Sequence, residues 1–266
     1  MSNHIYNARY KAEAAKYKKK DGIIALCFFA YLFIVSFIYG MYSIPIATFH
    51  GVAIYALVNI APLIIIVHAK KEGLSSIGIH KKHFLAALCL GLVFSVVALM
   101  IYRGLLPGFI QGGQLESIGI ILTGLYMGII LATWEDIAFA GYIQTRLYGL
   151  IKHDILAVLV GALLFALIHI SMRWAVFGLS AFGALVSLET PGWIGMHVIH
   201  NLVFRKYFSI FPVIMLHTFI NVAQGRLWAS EVSGLDDTIS FVIIVLAVVV
   251  WAVYQVRKGK KASMPE

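Results

Sequence analysis

Two adjacent acidic residues, Glu135 and Asp136, interrupt a long apolar stretch of the chain. The stretch runs from Ser117 to about Leu150, so both carboxylates lie well inside it, whereas the other ten of the 12 acidic residues lie in predicted loops, tails or segment ends. A charged side chain at the centre of a bilayer costs at least about 2.5–3.5 kcal/mol and usually has a partner and a function. The acidic pair is therefore either a catalytic centre or a carboxylate that pairs with a cation to pin two helices.

A histidine in the next apolar segment matches the depth of Glu135. Glu135 lies 17 residues before Lys152, and His169 lies 17 residues after it. If residues 146–154 form the turn of an antiparallel helical hairpin, both side chains lie about 25 Å from that turn, at a rise of about 1.5 Å per residue. His169 by itself could be an ordinary core histidine, but the matched depth predicts a carboxylate facing an imidazole inside the membrane.

Two further pairs of polar residues have helical spacing. His217 and Asn221 lie four residues apart within an apolar segment, so they share one helix face and predict either a polar cavity or interhelical hydrogen bonds. His197 and Asn201 have the same spacing, with His200 between them. Because Arg205 and Lys206 follow closely, we expect this second group near the membrane interface, apart from the site.

A carboxylate, two imidazoles and an amide in one cavity suit the attack of water on a peptide bond. The carboxylate of Glu135 can take a proton from water while His169 orients it, and His217 with Asn221 can donate hydrogen bonds to the oxyanion. The sequence has no G-x-S-x-G motif that would indicate a serine nucleophile. Two histidines and a glutamate could also hold zinc, but no H-E-x-x-H motif is present, so we expect no cofactor, with zinc as the alternative.

The composition shows which kind of protein must position these residues. Of the 266 residues, 61% are hydrophobic and only 12% are charged, about half the charged fraction of a soluble domain. This composition excludes an ordinary soluble enzyme and a disordered chain. The net charge of +9 is concentrated beside apolar segments, so it does not indicate a nucleic-acid partner. The sequence predicts an all-α, polytopic membrane helical bundle whose partners are the lipid bilayer and a peptide or membrane-protein substrate; its oligomeric state stays open.

About eight transmembrane helices fit the apolar segments, since a span needs about 20 apolar residues. The predicted spans are two within Gly22–Ala69, then His83–Tyr102, Ser117–Leu150, Ile155–Met172, Tyr207–Gly225 and Thr238–Val256, with the remaining span in one of two 15-residue charge-free segments, Trp174–Leu188 or Thr190–Phe204. Eight spans place both termini on the same side.

The basic clusters give the expected orientation. They occupy residues 9–20, 70–82 and 257–261, and short loops rich in Lys and Arg stay in the cytoplasm. We therefore expect a basic cytoplasmic segment at 1–21, a single transmembrane domain at 22–256 and a basic cytoplasmic tail at 257–266.

Three short motifs resemble the signatures of a known family. They are E-D-I-A-F-A-G-Y at Glu135–Tyr142, F-A-L-I-H at Phe165–His169 and H-T-F-I-N at His217–Asn221. In that order they resemble the EExxxR, FxxxH and HxxxN patterns of the CPBP family, the CAAX protease and bacteriocin-processing (Abi) group of intramembrane endopeptidases. Gly73–Ile79 and Gly141–Leu147 resemble the family's loop before its third helix and its continuation after the first motif, so the similar core covers about residues 72–221.

The resemblance implies a glutamate-type endopeptidase of eight helices that needs no metal. By position, Glu135 matches the catalytic glutamate, His169 the histidine that activates water with it, and His217 with Asn221 the oxyanion pair. Family members cleave prenylated CAAX tails or, in bacteria, are associated with peptide maturation, bacteriocin immunity and surface-protein display. The expected location is a bacterial cell membrane.

The sequence departs from the family pattern at two positions of the first motif. Asp136 replaces the second glutamate, and Ala140 stands where the family has an arginine, while Arg146 is too far along the helix to replace it. Asp136 and Phe165 take supporting positions in the motifs. The missing Glu–Arg pair predicts reduced or altered activity. It also leaves open a catalytically silent membrane scaffold or regulator and, less favoured, a small-molecule transporter.

Overall fold

A computed structural model describes residues 7–42, 48–80, 85, 88–93, 114–177, 183 and 189–225. The described residues form a helical bundle without a β-sheet, so the predicted all-α polytopic membrane fold is confirmed. A short 3-10 helix spans Leu74–Ile77. The longer helices are α1 at Ala8–Ala15, α2 at Lys19–Met41, α3 at Phe49–Ala69, α4 at Ile118–Leu147, α5 at Asp154–Phe177, α6 at Glu189–Tyr207 and α7 at Phe211–Gly225.

Four of the described helices, α2 to α5, are long and apolar enough to cross a membrane. Helix α4 has 30 residues and α5 follows it after a short turn, as the predicted hairpin requires. The predicted span at Thr238–Val256 lies outside the described residues, and most of the span at His83–Tyr102 does as well.

Helix α6 runs antiparallel to α5. At one end the ring of Trp193 lies 4.9 Å from that of His169, and at the other Arg205 Nη1 lies 2.8 Å from Asp154 Oδ1. The chain therefore leaves α5 and enters α6 at the same end of the bundle. Of the two short charge-free segments, 190–204 lies within α6, whereas most of 174–188 lies outside the described residues.

The basic segment at 9–20 ends, and the basic segment at 70–82 begins, at one common end of the bundle. Lys70 pairs with Asp21 at the start of α2, and Arg146 at the end of α4 pairs with Glu72. The start of α2, the end of α3 and the turn after α4 therefore lie together. The sequence also predicts that the basic segments at 9–20 and 70–82 lie on one side of the membrane.

Helix α1 folds back against this end. The backbone N–H of Asn7 donates to the carbonyl of Arg205 at 3.0 Å, and the buried ring of Tyr10 packs edge-on against Phe204. Burial tends to raise the pKa of Glu13, but hydrogen bonds from Lys16 and Tyr17 hold that pKa below its ordinary value. The basic amino-terminal segment is thus partly a folded element of the bundle.

A stripe of small residues lets α7 approach α4 closely. Gly124, Gly128 and Ala132 of α4 are buried at four-residue intervals. A Cβ atom on Gly128 would lie only 3.1 Å from the carbonyl oxygen of Thr218 in α7. Small residues of this kind bring helix backbones together in membranes. This close approach places His217 and Asn221, the polar face of α7, near the acidic pair on α4.

Helix α4 widens directly after the acidic pair. Residues Ile137–Ile143 form a π-helix, and all seven are buried. A Cβ atom on Gly141 would lie 2.9 Å from the carbonyl oxygen of Ile77, so a glycine is needed where the 3-10 helix packs against the π-helix. Widened turns of this type occur frequently at functional sites, because they rotate the side chains that follow.

Candidate functional site

A cavity of about 480 Å³ lies between helices α3 to α7. Its charged and polar lining consists of Glu135, His169, Arg173, His217 and Asn221. The remaining lining is apolar or aromatic and consists of Tyr55, Met127, Leu131, Trp134, Ile168, Met172, Trp193 and Met196. The structure therefore brings the four residues predicted for catalysis to one cavity, although they lie on three helices.

The carboxylate of Glu135 lies closest to α7. Its Oε2 atom is 3.6 Å from Nε2 of His217. His169 faces the same cavity, and among the described residues it forms no ion pair with Glu135. A water molecule occupies about 30 Å³ in the liquid, so a cavity of about 480 Å³ has room for water.

The ring of His169 is held in a defined orientation. Its Nδ1 atom lies 2.9 Å from the carbonyl oxygen of Phe165, one helical turn earlier, so Nδ1–H donates and Nε2 keeps a lone pair. One ring face stacks on Trp193 at a centroid distance of 4.9 Å. Phe165, the predicted supporting residue, is fully buried and contacts His169 through its backbone carbonyl and through its ring, whose centroid lies 4.7 Å from that of His169.

Asp136 points away from the cavity, into the packing between α4, α6 and α7. Its Oδ1 atom lies 3.1 Å from Nδ1 of His200, and its Oδ2 atom lies 3.3 Å from Nδ1 of His217. All three side chains are almost completely buried. An ionised carboxylate only accepts hydrogen bonds, so both imidazoles donate through Nδ1–H. With Ala140 at the position of the family's arginine, Asp136 is partnered by two histidines.

We expected His197, His200 and Asn201 near the membrane interface, apart from the site. All three are fully buried and none lines the cavity, and His197 stacks on Phe165 at a centroid distance of 4.8 Å. The prediction relied on the nearby Arg205, which is itself fully buried because it pairs with Asp154.

Arg146 is fully buried and stabilises the end of α4, the helix that carries the acidic pair. Its guanidinium pairs with Glu72, donates to Ser76 Oγ at 3.0 Å and lies 4.3 Å from the ring centres of both Tyr17 and Tyr142. These contacts join the two segments that extend the family resemblance, at 73–79 and 141–147. As expected, Arg146 does not take over the role of the missing motif arginine.

Sequence reasoning did not single out three residues that line the cavity: Tyr55, Arg173 and Trp193. Arg173 follows His169 by four residues and Trp193 precedes His197 by four, so the i, i+4 rule offered a signal for both. The guanidinium of Arg173 lies 5.2 Å from the ring centre of Trp193. No comparable signal marked Tyr55, because α3 carries no charged residue.

One group among the described residues could hold a metal ion. The donor atoms of Asp136, His200 and His217 all lie within 4.8 Å of one another. The group does not contain Glu135 or His169, and its complete burial suits a closed structural site better than a catalytic zinc site, which keeps an open position. The same atoms also satisfy one another as hydrogen-bond donors and acceptors.

Comparison with known proteins identifies one similar family. Residues 117–223, which cover helices α4 to α7 and all the predicted site residues, match the family model described as type II CAAX prenyl endopeptidase Rce1-like. No curated protein and no solved structure matches the chain. The match confirms the resemblance to the CAAX protease family.

Proposed function

Because the segment that forms the cavity matches a family of CAAX prenyl endopeptidases, we propose that this protein is a glutamate-type intramembrane endopeptidase. The observation that carries the proposal is the common cavity of Glu135, His169, His217 and Asn221. It combines a carboxylate, an imidazole with a free ring nitrogen and a separate pair of hydrogen-bond donors. These are the groups that hydrolysis of a peptide bond requires.

In the proposed reaction Glu135 takes a proton from a water molecule that Nε2 of His169 orients. The water oxygen attacks the carbonyl carbon of the scissile peptide bond and forms a tetrahedral intermediate. His217, as an imidazolium with a proton on both ring nitrogens, donates through Nε2–H, and with the side-chain amide of Asn221 it stabilises the oxyanion. Glu135 then passes its proton to the leaving amide nitrogen, the C–N bond breaks, and a carboxylate and an amine are released.

This reaction needs no metal ion, because the carboxylate supplies the base and the donor pair replaces a Lewis acid. We therefore propose that the protein works without a cofactor. Zinc is the alternative, and activity lost on exhaustive chelation and restored by zinc would favour it.

The substrate class follows from the family and the setting of the cavity. We propose a peptide or membrane protein whose cleavage site lies at or within the bilayer, with a prenylated CAAX tail as one candidate. The corresponding roles are peptide maturation, immunity or surface-protein processing in a bacterial cell membrane. The common basic end of the bundle would face the cytoplasm, together with both termini.

The test is hydrolysis by purified protein in liposomes, in water enriched with oxygen-18. A proteome-derived peptide library with added farnesylated peptides serves as the probe, because each hydrolysis labels a new carboxyl terminus whatever the sequence. Glu135→Gln and His169→Ala should abolish labelling, while Glu116→Gln, the same change outside the predicted spans, should not. Wild-type labelling that persists in folded Glu135→Gln protein would refute the mechanism.

A membrane scaffold is the second candidate, and the observation that favours it is Ala140 in place of the motif arginine. A scaffold predicts no labelling by wild-type protein and no phenotype for Glu135→Gln or His169→Ala. Substitutions on exposed helix or loop surfaces would then disturb function instead. The two candidates thus give opposite results in the same set of variants.

A further inference from the structure

A buried carboxylate joins two histidines behind the cavity. Asp136 accepts a hydrogen bond from His200 on one oxygen, at 3.1 Å, and from His217 on the other, at 3.3 Å. His217 also lines the cavity, with its Nε2 atom 3.6 Å from Glu135, whereas His200 does not line it. The connection therefore runs from a fully buried histidine of α6, through α4, to a cavity residue of α7.

In the first motif of this chain, no residue supplies the hydrogen-bond donor that the family's arginine could offer to the acid at position 136. An arginine five residues after Glu135 could pair with the acid at 136, one helical turn before it, but Ala140 has no hydrogen-bonding group in its side chain. A buried carboxylate left unpaired is costly. In this chain the hydrogen-bond donors to Asp136 come instead from two other helices, His200 on α6 and His217 on α7.

We propose that His200 is a positioning residue that compensates for the missing arginine and, through Asp136, orients His217. The inference rests on the proposed function. With both its oxygens engaged, the carboxylate of Asp136 cannot turn freely, so it holds Nδ1–H of His217. The opposite ring nitrogen, Nε2, then faces Glu135 and the cavity, where it can donate to the oxyanion when His217 is an imidazolium with a proton on both ring nitrogens.

Only one atom of His200 carries this role. Its Nδ1 atom bonds to Asp136, while its Nε2 atom has no hydrogen-bond partner among the described residues. Asparagine can place its amide N–H near the position of Nδ1, whereas leucine fills similar space without a donor. His200→Asn should therefore preserve the function of His200, and His200→Leu should remove it.

The pattern is reversed at His217, where Nε2 would be the working atom. His217→Asn keeps the bond to Asp136 but loses the atom that faces the cavity, and should be as inactive as His217→Ala. We therefore expect activity to survive His200→Asn and to be lost in His217→Asn. Two histidines with a merely structural role would not give this difference.

The experiment measures the labelling kinetics of these variants on a farnesylated peptide, or on the peptide that wild-type protein cleaves best in the library. Loss of the partner that orients a histidine in a metal site costs about 10–100-fold, and we expect His200→Leu to lower kcat by a similar factor. KM should change by less than about threefold, because the lost interaction acts on the transition state. His200→Asn should restore kcat to within about threefold of wild type.

Nitrogen-15 spectra of histidine-labelled protein in micelles give a readout that does not depend on activity. Both His200 and His217 should be protonated at Nδ1 in the wild type, with signals assigned from the His200→Asn and His217→Asn variants. If either ring carries its proton on Nε2 alone, the inference is overturned, even where His200→Leu fails to fold.

The outcomes separate this inference from the proposed function. A folded His200→Leu variant with wild-type kcat, beside an inactive Glu135→Gln variant, would overturn the positioning role and leave the peptidase intact. Full activity of Glu135→Gln would instead overturn the proposed function itself.

Discussion

Replacing Arg146 by methionine should destabilise the bundle more than most single substitutions. The side chain is fully buried and pairs with Glu72, whose side chain is only 16% exposed. Removing one partner of a buried ion pair costs about 3–5 kcal/mol, since the other charge stays in a medium that solvates it poorly. Because Glu72 retains some access to solvent, we expect a loss near the lower limit, about 3 kcal/mol.

The contacts of Arg146 other than the ion pair add to this loss. Its guanidinium lies between the rings of Tyr17 and Tyr142, and each cation–π contact contributes about 0.5–2 kcal/mol depending on desolvation. Methionine fills much of the same volume, so its packing recovers part of that energy. Lysine keeps the charge but not the planar fork, so Arg146→Lys should still weaken the bundle, and by less than Arg146→Met.

Reversible unfolding in mixed micelles of mild detergent and dodecyl sulfate, followed by tryptophan fluorescence, gives the free energies. A double-mutant cycle with Glu72→Gln isolates the pair, and we expect a coupling of at least about 1 kcal/mol. Lys152→Met is the matched control, because this exposed lysine lies at the same end of the bundle. A loss below about 1 kcal/mol for Arg146→Met, or no coupling in the cycle, would refute the reasoning.

Three further predictions concern helix packing, the cavity and the docked amino-terminal helix. Gly40→Ala should cost about 1–3 kcal/mol in the same unfolding assay, because the new Cβ would lie 2.6 Å from a carbonyl oxygen of α5. Gly119→Ala, which has open space around its Cβ, should be neutral or stabilising. Trp193→Ala should lower kcat about tenfold by releasing the stacked ring of His169, and Trp193→Phe should keep most of the activity; equal kcat in all three proteins would contradict this. The pKa of Glu13 is held below its ordinary value, so its ionised form should stabilise the fold above that ordinary value and lose this effect as the pH falls through the folded-state pKa. The stability advantage of wild type over Glu13→Gln should accordingly shrink on acidification, and an advantage that grows would show the sign to be wrong.

Much of the site could be predicted from spacing, since helices convert sequence distance into depth. Equal separations of Glu135 and His169 from Lys152 were enough to place both at one level of a hairpin, and the cavity contains both. The common cavity also receives His217 and Asn221, whose four-residue spacing predicted a shared face. These relations lie within single helices or across a tight turn, where geometry is nearly independent of the rest of the fold.

The role of α6 could not be predicted, because it depends on contacts between distant helices. His197 and Asn201 have the same spacing as His217 and Asn221, so no periodicity rule distinguishes the two groups. What distinguishes them is the orientation of α6 against α5, in which Arg205 pairs with Asp154 at one end. That ion pair joins residues far apart in sequence and could not be inferred from either one.

The acidic pair shows how adjacent residues can be given separate roles by helix geometry alone. Successive residues of an α-helix point about 100° apart, so adjacent side chains can contact different helices. In the structure Glu135 lines the cavity, whereas Asp136 lies between α6 and α7. Two carboxylates side by side would repel each other if both were ionised, and the two histidines that donate to Asp136 offset that cost. An acid that looks like a second catalytic carboxylate in the sequence is thus better explained as the support of a catalytic histidine. Its replacement by asparagine, which keeps one acceptor oxygen but cannot accept both Nδ1–H groups as strongly, should then impair His217 while leaving Glu135 in place.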